Sequence, residues 1–217
     1  MHPEFASVID PIFSATLQLE SRIADKAKVI PADERAGLLR KIDEAEAKLG
    51  NVQDWQLSKY ALCAWIDAKL IDAPWIGSAW WKDNCLEVKY FGRRDAHEDF
   101  FKRAADANSL SRKDALEVFY IAVVLGFKGF YGDHDASYAA SMANSLRLPE
   151  TLEAWCREVA RSLQLRQGRP QIPERVQAGG SARPLTGRSS LAAFALVSAV
   201  LVALAIACYI LLFTSKQ

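Results

Sequence analysis

Residues 54–66 of the chain read DWQLSKYALCAWI. Placed on a helix of 3.6 residues per turn, this segment carries apolar side chains on most of its faces. They are Trp55, Leu57, Tyr60, Ala61, Leu62, Trp65 and Ile66. A helix that is apolar on most sides is buried by its neighbours. We therefore predict a central helix that begins near Asp54 and is packed inside an all-α domain.

Helical periodicity continues on both sides of this segment. Helix starts are predicted from capping residues and first-turn prolines, at Asp10-Pro11, Asp33, Asp95-x-x-Glu98, Ser111-x-x-Asp114, Asp135 and Pro149. Between them, Leu86, Val88 and Tyr90 alternate with charged residues, and we interpret this run as an extended connector because a lone strand makes no sheet. The sequence thus predicts an all-α bundle of seven to eight helices over residues 1–165.

The C-terminal quarter of the chain has a different composition. Residues 166–190 are rich in proline, glycine and arginine, which predicts a linker. Residues 191–213 contain no charged side chain and are long enough, at about 1.5 Å per residue, to cross a hydrocarbon core of roughly 30 Å. We predict a single C-terminal transmembrane helix there, followed by a short tail at residues 214–217.

The charges that flank this span predict its orientation. Arg183 and Arg188 precede it, whereas only Lys216 follows it. The positive-inside rule then keeps the N-terminal domain cytoplasmic and puts the C-terminus on the other side of the bilayer. The first 20 residues have no basic start and are interrupted by acids, so we predict that they do not form a signal peptide. The predicted topology is that of a tail-anchored, single-pass protein in contact with the lipid bilayer.

Charge and cysteine usage disfavour two broad classes of protein. Residues 1–165 contain 21 basic and 25 acidic residues, a net charge of −4, which disfavours a basic nucleic-acid-binding domain. The four cysteines are widely separated and form no CxxC pair. That spacing disfavours a secreted scaffold held by disulfides.

The histidines and glycines indicate no catalytic, cofactor-binding or metal site. His97-Glu98-Asp99 and Asp133-His134-Asp135 lack the i, i+4 spacing of a zinc-binding helix. The glycines of residues 126–132 follow a helix and lack the order of a phosphate-binding loop. We therefore predict a protein that is not an enzyme, with a membrane-tethered metal enzyme using His97 or His134 as a remote alternative.

The six tryptophans fall into two groups. Trp55, Trp65 and Trp155 lie on apolar stripes and are predicted core residues. The others, Trp75, Trp80 and Trp81, follow Pro74 in a short segment. They either fill the gap between helix ends, which we favour, or form a contact surface for a partner.

Several segments in this order resemble the DotU/IcmH/TssL family. They are Tyr60–Asp67 (YALCAWID), Pro74-Trp75, Phe100-Phe101, Glu117-x-x-Tyr120 and the run from Leu125 to Tyr131 (LGFKGFY). Members of this family are tail-anchored inner-membrane proteins of bacterial type VI and related type IVB secretion systems. The resemblance implies a cytoplasmic, hook-like pair of helical sub-bundles and a C-terminus in the periplasm.

The resemblance also implies a function and a set of interface residues. It predicts a scaffold that docks cytoplasmic baseplate components to an IcmF/TssM-like inner-membrane protein, with self-association as a further contact. The candidate partner interface comprises Asp67, Pro74, Trp75, Trp81, Gly126, Phe127, Gly129 and Tyr131. The chain departs from the family pattern at Ala68, Arg93 and Lys128, where partner surfaces are expected to differ. The alternative is a tail-anchored regulatory or recruitment adaptor unrelated to secretion.

Overall fold

The computed structural model describes residues 1–133 and 135–166 of the chain. The predicted linker beyond Arg166, the predicted transmembrane helix and tail, and His134, Arg183 and Arg188 lie outside the described residues. The helices are α1 (Pro3–Ala24), α2 (Pro31–Leu49), α3 (Gln53–Asp72), α4 (Ser78–Asp83), α5 (Leu86–Phe91), α6 (Ala96–Ser109), α7 (Asp114–Val124), α8 (Ala136–Ser145) and α9 (Leu152–Arg166), with a 3₁₀ turn at Gly129–Gly132. Within these ranges no residue belongs to a strand, which confirms the all-α class. Two of the helices have only six residues, so seven longer helices build the fold.

Helix α3 is the centre of the fold, as its sequence predicts. Trp55, Tyr60 and Trp65 are fully buried on it, and α1, α2, α4, α5, α6 and α7 all pack against it. Burying each large apolar side chain contributes about 1.5–3 kcal/mol relative to leaving it in water. The predicted core tryptophan of α9, Trp155, is also buried. The hydrophobic core is therefore arranged around one helix that solvent barely reaches.

Helices α1, α3 and α7 run in the same direction. Near their ends, Glu20 of α1 pairs with Lys69 of α3 at 2.9 Å, and Gly126, just beyond α7, lies beside the same lysine. At their starts, the backbone N–H of His2 donates to Asp114 at 2.7 Å. The C-terminal ends of these three helices therefore meet at one end of the domain.

Helix α1 begins earlier than predicted. It starts at Pro3 and continues through Pro11, so the predicted start at Asp10-Pro11 is wrong. The apolar stripe of Phe5, Ile9 and Ile12 crosses the proline and is buried throughout. Burial of that continuous stripe offsets the hydrogen bond that a proline inside a helix removes.

The segment from Leu86 to Phe91 is also different from the prediction. It is helix α5 and not an extended connector. The N–H groups of Leu86 and Glu87 donate to the Asp67 carboxylate at 3.0 and 2.8 Å. Asp67 comes 19 residues earlier in the chain, so no local pattern in residues 86–91 shows that this helix has a cap.

Asp95 lies at the cap position of α6 as predicted, although its side chain makes no capping hydrogen bond there, whereas several other predicted helix starts are displaced by two or three residues. The cap position of α2 is Ile30 and not Asp33, that of α7 is Lys113 and not Ser111, and the last helix begins at Leu152 and not at Pro149. Asp135 does cap α8, because its carboxylate accepts from the N–H groups of Ser137 and Tyr138. A side chain with a hydrogen-bond acceptor just before a helix therefore caps some of these helices and not others.

One described stretch, Asp114–Gly132, has a length and a mean hydropathy of 1.4 that would suit a membrane span. In this fold it consists of α7 and the glycine turn that follows. Helix α7 packs against α3, α6 and α9, with Leu116, Val118 and Phe119 buried. This stretch is a core segment of the bundle.

The three cysteines in the described ranges, Cys63, Cys85 and Cys156, are free thiols.

Candidate partner-binding groove

A groove of about 810 Å³ crosses the end of the domain where α1, α3 and α7 finish. Its floor is the second half of α3, with Ala64, Trp65 and Ala68. One wall is the end of α1, and the other is formed by the start of α6 together with the glycine turn of residues 126–132. Solvent therefore reaches the second half of α3 at Ala68, Lys69 and Ile71, which are only partly covered by the flanking helices.

Five of the eight predicted interface residues line this groove. They are Asp67, Pro74, Gly126, Phe127 and Gly129. Although these residues are up to 62 positions apart in the chain, the ends of α3 and α7 bring them to one place. The other three, Trp75, Trp81 and Tyr131, are not among the groove-lining residues.

The Asp67 carboxylate is buried at the groove and accepts three hydrogen bonds. Its Oδ1 accepts from Trp81 Nε1 at 2.8 Å and from the N–H of Leu86, and its Oδ2 accepts from the N–H of Glu87. Burial raises the pKa of Asp67, and the three donors partly oppose that rise. Asp67 thus attaches α4 and α5 to α3, and both of its oxygens already accept hydrogen bonds from within the domain.

Glu87 is a second buried carboxylate at the groove, and sequence reasoning missed it. It is 4% exposed, and its Oε1 accepts from the N–H groups of Asp95 and Ala96, both at 2.8 Å. These amides belong to the cap residue and the first residue of α6, so Glu87 of α5 caps a helix that begins nine residues later. Burial raises the pKa of Glu87 to about 7. The sequence around Glu87 reads as an extended connector. It therefore gives no local indication that this glutamate caps another helix.

The tryptophan segment divides into buried and accessible parts. Trp81 is fully buried, which agrees with the prediction that this cluster fills the gap between helix ends. Trp75 is half-buried, donates from Nε1 to the carbonyl of Leu70 at 2.8 Å, and lies against Gly77. Between them, Ile76 is 95% exposed. The accessible apolar group of this loop is therefore Ile76, which the sequence pattern did not single out.

The glycine turn is shaped by two residues with positive φ angles. Gly126 has φ +105° and lies beside Lys69, and Gly129 has φ +50°. A Cβ on Gly129 would meet Phe101 at 3.0 Å and the carbonyl oxygen of His97 at 3.1 Å. Only glycine fits there without strain, so this turn can approach α6 as closely as it does.

Aromatic rings fasten the glycine turn to the domain. Phe127 stacks on Phe100 with ring centroids 4.0 Å apart, and Tyr131 packs edge-on against Phe101 at 4.8 Å. The Phe101 ring also contacts Trp155 of α9 at 5.1 Å. Tyr131 donates its hydroxyl to the carbonyl of Pro149 at 2.5 Å. Phe127 and Tyr131 therefore hold the wall of the groove in position.

Charged groups of both signs surround the groove opening. Lys69 is paired with Glu20, whereas Lys128 and Arg94 are exposed on the opposite wall. His97 on that wall faces Asp133, with 3.6 Å between Nε2 and Oδ2. No group of three metal-binding side chains occurs in residues 1–133 and 135–166. The groove offers a mixed polar rim around an apolar floor, which suits a protein segment.

Comparison with known protein families finds a match for this sequence. The sequence matches the family model described as type VI secretion system protein DotU over residues 4–214. Among curated proteins no significant match was found.

Two solved structures are similar to this fold. The cytoplasmic domain of TssL from Acinetobacter baumannii has 21% sequence identity and a TM-score of 0.54, with 72% of this chain and 97% of that chain covered. SciP/TssL from enteroaggregative Escherichia coli 042 has 21% identity and a TM-score of 0.47, over 67% of this chain and 90% of that chain. The first similarity shows a shared helical fold.

Proposed function

Because the chain belongs to the DotU family of type VI secretion system proteins, we propose that it is a scaffold subunit of the secretion membrane complex. It docks cytoplasmic baseplate components to an IcmF/TssM-like inner-membrane partner and turns over no substrate. Its mechanism is positional, since the predicted anchor at residues 191–213 would hold the helical domain at the inner membrane.

The observation that carries this proposal is the composition of the groove. Five residues selected from sequence as partner contacts lie around one opening of about 810 Å³. Grooves of this kind, with an apolar floor and a polar rim, accept a helix or loop of a partner protein. The floor provides Ala68, and the rim provides Lys128 and Arg94 as accessible charges.

The proposed location is the bacterial inner membrane, with residues 1–165 in the cytoplasm and the C-terminus in the periplasm. Arg183 and Arg188 before the predicted span support this orientation. The solved relative from Acinetobacter baumannii is described as a cytoplasmic domain, in agreement with the proposed side of the helical part.

Co-purification from membranes tests the docking role. Ala68→Arg places a long side chain on the groove floor, and Lys128→Glu reverses an exposed charge on the wall. Each variant should lose baseplate components from the captured complex and should keep its helicity and membrane insertion. Lys48→Glu, on the exposed face of α2, is the matched control. It should capture the same baseplate components as the unmodified chain.

Two outcomes would contradict the proposal. If both groove variants capture the same components as the control, the groove is not the docking surface. If the full-length chain captures a cytoplasmic protein but neither an IcmF/TssM-like protein nor baseplate components, the recruitment adaptor becomes the better interpretation.

A further inference from the structure

The accessible charges of the groove have opposite signs in two places. Arg94 and Lys128 are exposed on the wall formed by the start of α6 and the glycine turn, and Asp72 is exposed at the end of α3. Within residues 1–133 and 135–166, none of these three side chains forms an ion pair. The groove therefore has a basic wall, at Arg94 and Lys128, and an acidic end, at Asp72.

The acidic end lies well along α3 from the residues that lead into α6. The Tyr60 hydroxyl donates to Asp95 at 2.9 Å, so Arg94, the preceding residue, lies near the first half of α3. Asp72 is the last residue of α3, about 18 Å beyond Tyr60 along the helix axis. Ala68, which is partly exposed, comes between them on the floor. A segment that lies along α3 therefore meets cations at the wall, an apolar floor and then an anion.

The remaining charged side chains of the groove are already compensated. Lys69 pairs with Glu20 at 2.9 Å, and His97 lies 3.6 Å from Asp133. The two buried carboxylates, on α3 and α5, accept hydrogen bonds from within the domain. The charges available to an incoming segment are therefore those of the basic wall and the acidic end.

The shape of the groove favours a helix as the bound segment. The part of the chain that the structure describes contains no strand, so it offers no sheet edge to an extended peptide. Ala68 has a small side chain, which lets a second helix approach α3 closely. Roughly three turns of a helix span the length from Tyr60 to Asp72. These features suit an amphipathic helix that lies along α3.

We propose that the groove binds an amphipathic helix of a partner protein whose acidic side chains face Arg94 and Lys128 and whose basic side chain faces Asp72. This inference rests on the docking role proposed for the same groove and adds the charge pattern of the bound segment. The apolar face of the helix covers Ala68, and the charges at its two ends determine which helix is accepted. A helix with one sign of charge throughout would place like charges together at the basic wall or at the acidic end, which lowers its affinity.

Three designed helical peptides test this charge pattern. They share one face of alanine and leucine, and their polar flanks carry glutamates in one half and lysines in the other, glutamates only, or lysines only. Fluorescence anisotropy measures their binding to the full-length chain in nanodiscs of zwitterionic lipid, with empty nanodiscs as the blank. At low salt the peptide with segregated charges should bind on the order of tenfold more tightly than either of the others. This preference should shrink at ~1 M salt, because salt screens exposed charges.

Charge reversal in the groove should change which peptide binds best. Asp72→Lys should shift the preference to the glutamate-only peptide, and Arg94→Glu combined with Lys128→Glu should shift it to the lysine-only peptide. Lys48→Glu, on the exposed face of α2, is the control and should keep the preference for segregated charges. Circular dichroism should show the same helicity in all variants, since each of these side chains is exposed.

Ala68→Arg separates this proposal from the docking role. It should weaken the binding of all three peptides, because it fills the floor that they share. If Ala68→Arg weakens binding but the three peptides bind equally well, or if Asp72→Lys leaves the preference unchanged, the groove accepts a segment without selecting its charge. The proposed charge pattern is then overturned, whereas the docking role stands. Absence of binding by all three peptides overturns the charge pattern as well, and the docking role is then judged by capture from membranes.

Discussion

The indole N–H of Trp81 donates a 2.8 Å hydrogen bond to Oδ1 of Asp67, and both side chains are buried. This bond joins α4 to α3 beneath the groove. A buried carboxylate needs such donors, because water is not available to solvate it. Trp81 therefore has two roles, since its ring fills space and its N–H satisfies a buried charge.

Trp81→Phe should lower the free energy of unfolding by on the order of 1–3 kcal/mol, because Asp67 loses one of its three donors. The phenyl ring keeps most of the buried apolar volume. Trp75→Phe is the matched control, since the Trp75 N–H bonds a backbone carbonyl in a half-buried place. Urea unfolding of both variants measures the difference, and equal losses would contradict the role given to the Trp81 N–H.

Trp81→Ala and Ile76→Asp should separate core from contact surface in the same loop. Trp81→Ala removes a fully buried ring and should cost about 3–5 kcal/mol. Ile76→Asp changes a side chain that is 95% exposed and should cost less than about 0.5 kcal/mol. If the loop contacts a partner, Ile76→Asp should nevertheless reduce capture from membranes. Unchanged capture would remove this loop from the interface.

Gly129→Ala should destabilise the domain more than Gly92→Ala does. Both glycines have positive φ angles, at +50° and +71°, so each alanine is strained by about 1 kcal/mol. A Cβ at Gly92 meets nothing within 4 Å, whereas one at Gly129 meets Phe101 and the His97 carbonyl. We expect Gly129→Ala to cost about 1–3 kcal/mol more, measured by thermal unfolding. Equal losses of stability in Gly129→Ala and Gly92→Ala would mean that the glycine turn can move away from α6.

Glu46→Gln should weaken the fold at neutral pH, and this loss should diminish as the pH falls. Glu46 accepts a 2.8 Å hydrogen bond from the buried amine of Lys59, and this bond lowers the pKa of Glu46. The folded state thus binds the proton less tightly than the unfolded state. The stabilisation is present above the ordinary pKa and is lost as the pH falls through the lowered value.

The expected size of this effect is on the order of 1 kcal/mol at pH ~7, because Glu46 is more than a third exposed and solvent screens the pair. The difference in urea midpoint between the unmodified chain and Glu46→Gln should shrink as the pH falls below the ordinary glutamate pKa and should disappear below the lowered pKa of Glu46. Adding Lys59→Met should recover part of the loss at neutral pH, since no charge is then buried. If the loss of stability in Glu46→Gln did not depend on pH, its cause would be altered packing and not the loss of the ion pair with Lys59.

Reporter fusions test the predicted topology. A reporter before Met1 should be active in the cytoplasm, and one after Gln217 should be active in the periplasm. Moving Arg183 and Arg188 to the far side of the predicted span should weaken this preference, since each arginine contributes on the order of 1 kcal/mol near an anionic surface. A cytoplasmic C-terminal reporter would rule out the tail-anchored arrangement.

Periodicity alone was sufficient to predict the centre of the fold. The helix from Gln53 to Asp72 begins one residue before the predicted Asp54, and Trp55, Trp65 and Trp155 are core residues as expected. These predictions succeed because the burial of a helix face depends on residues three and four apart, which a sequence displays directly.

The parts that sequence reasoning missed depend on contacts between distant residues. Helix α5 is capped by Asp67 and helix α6 by Glu87, and neither acceptor adjoins the helix that it caps. Asp67 was predicted to contact a partner, but in the fold its oxygens are occupied by α4 and α5. A carboxylate in a sequence does not show which distant amides it will meet.

The position of Phe101 has a consequence for how this sequence can change over evolutionary time. Its ring contacts Tyr131 of the glycine turn on one side and Trp155 of α9 on another. A smaller residue at Phe101 would leave both neighbours unsupported, and a larger one would displace both. Substitutions at this position are therefore expected to persist among descendants only together with compensating changes at Tyr131 or Trp155, so that the three positions vary as a group.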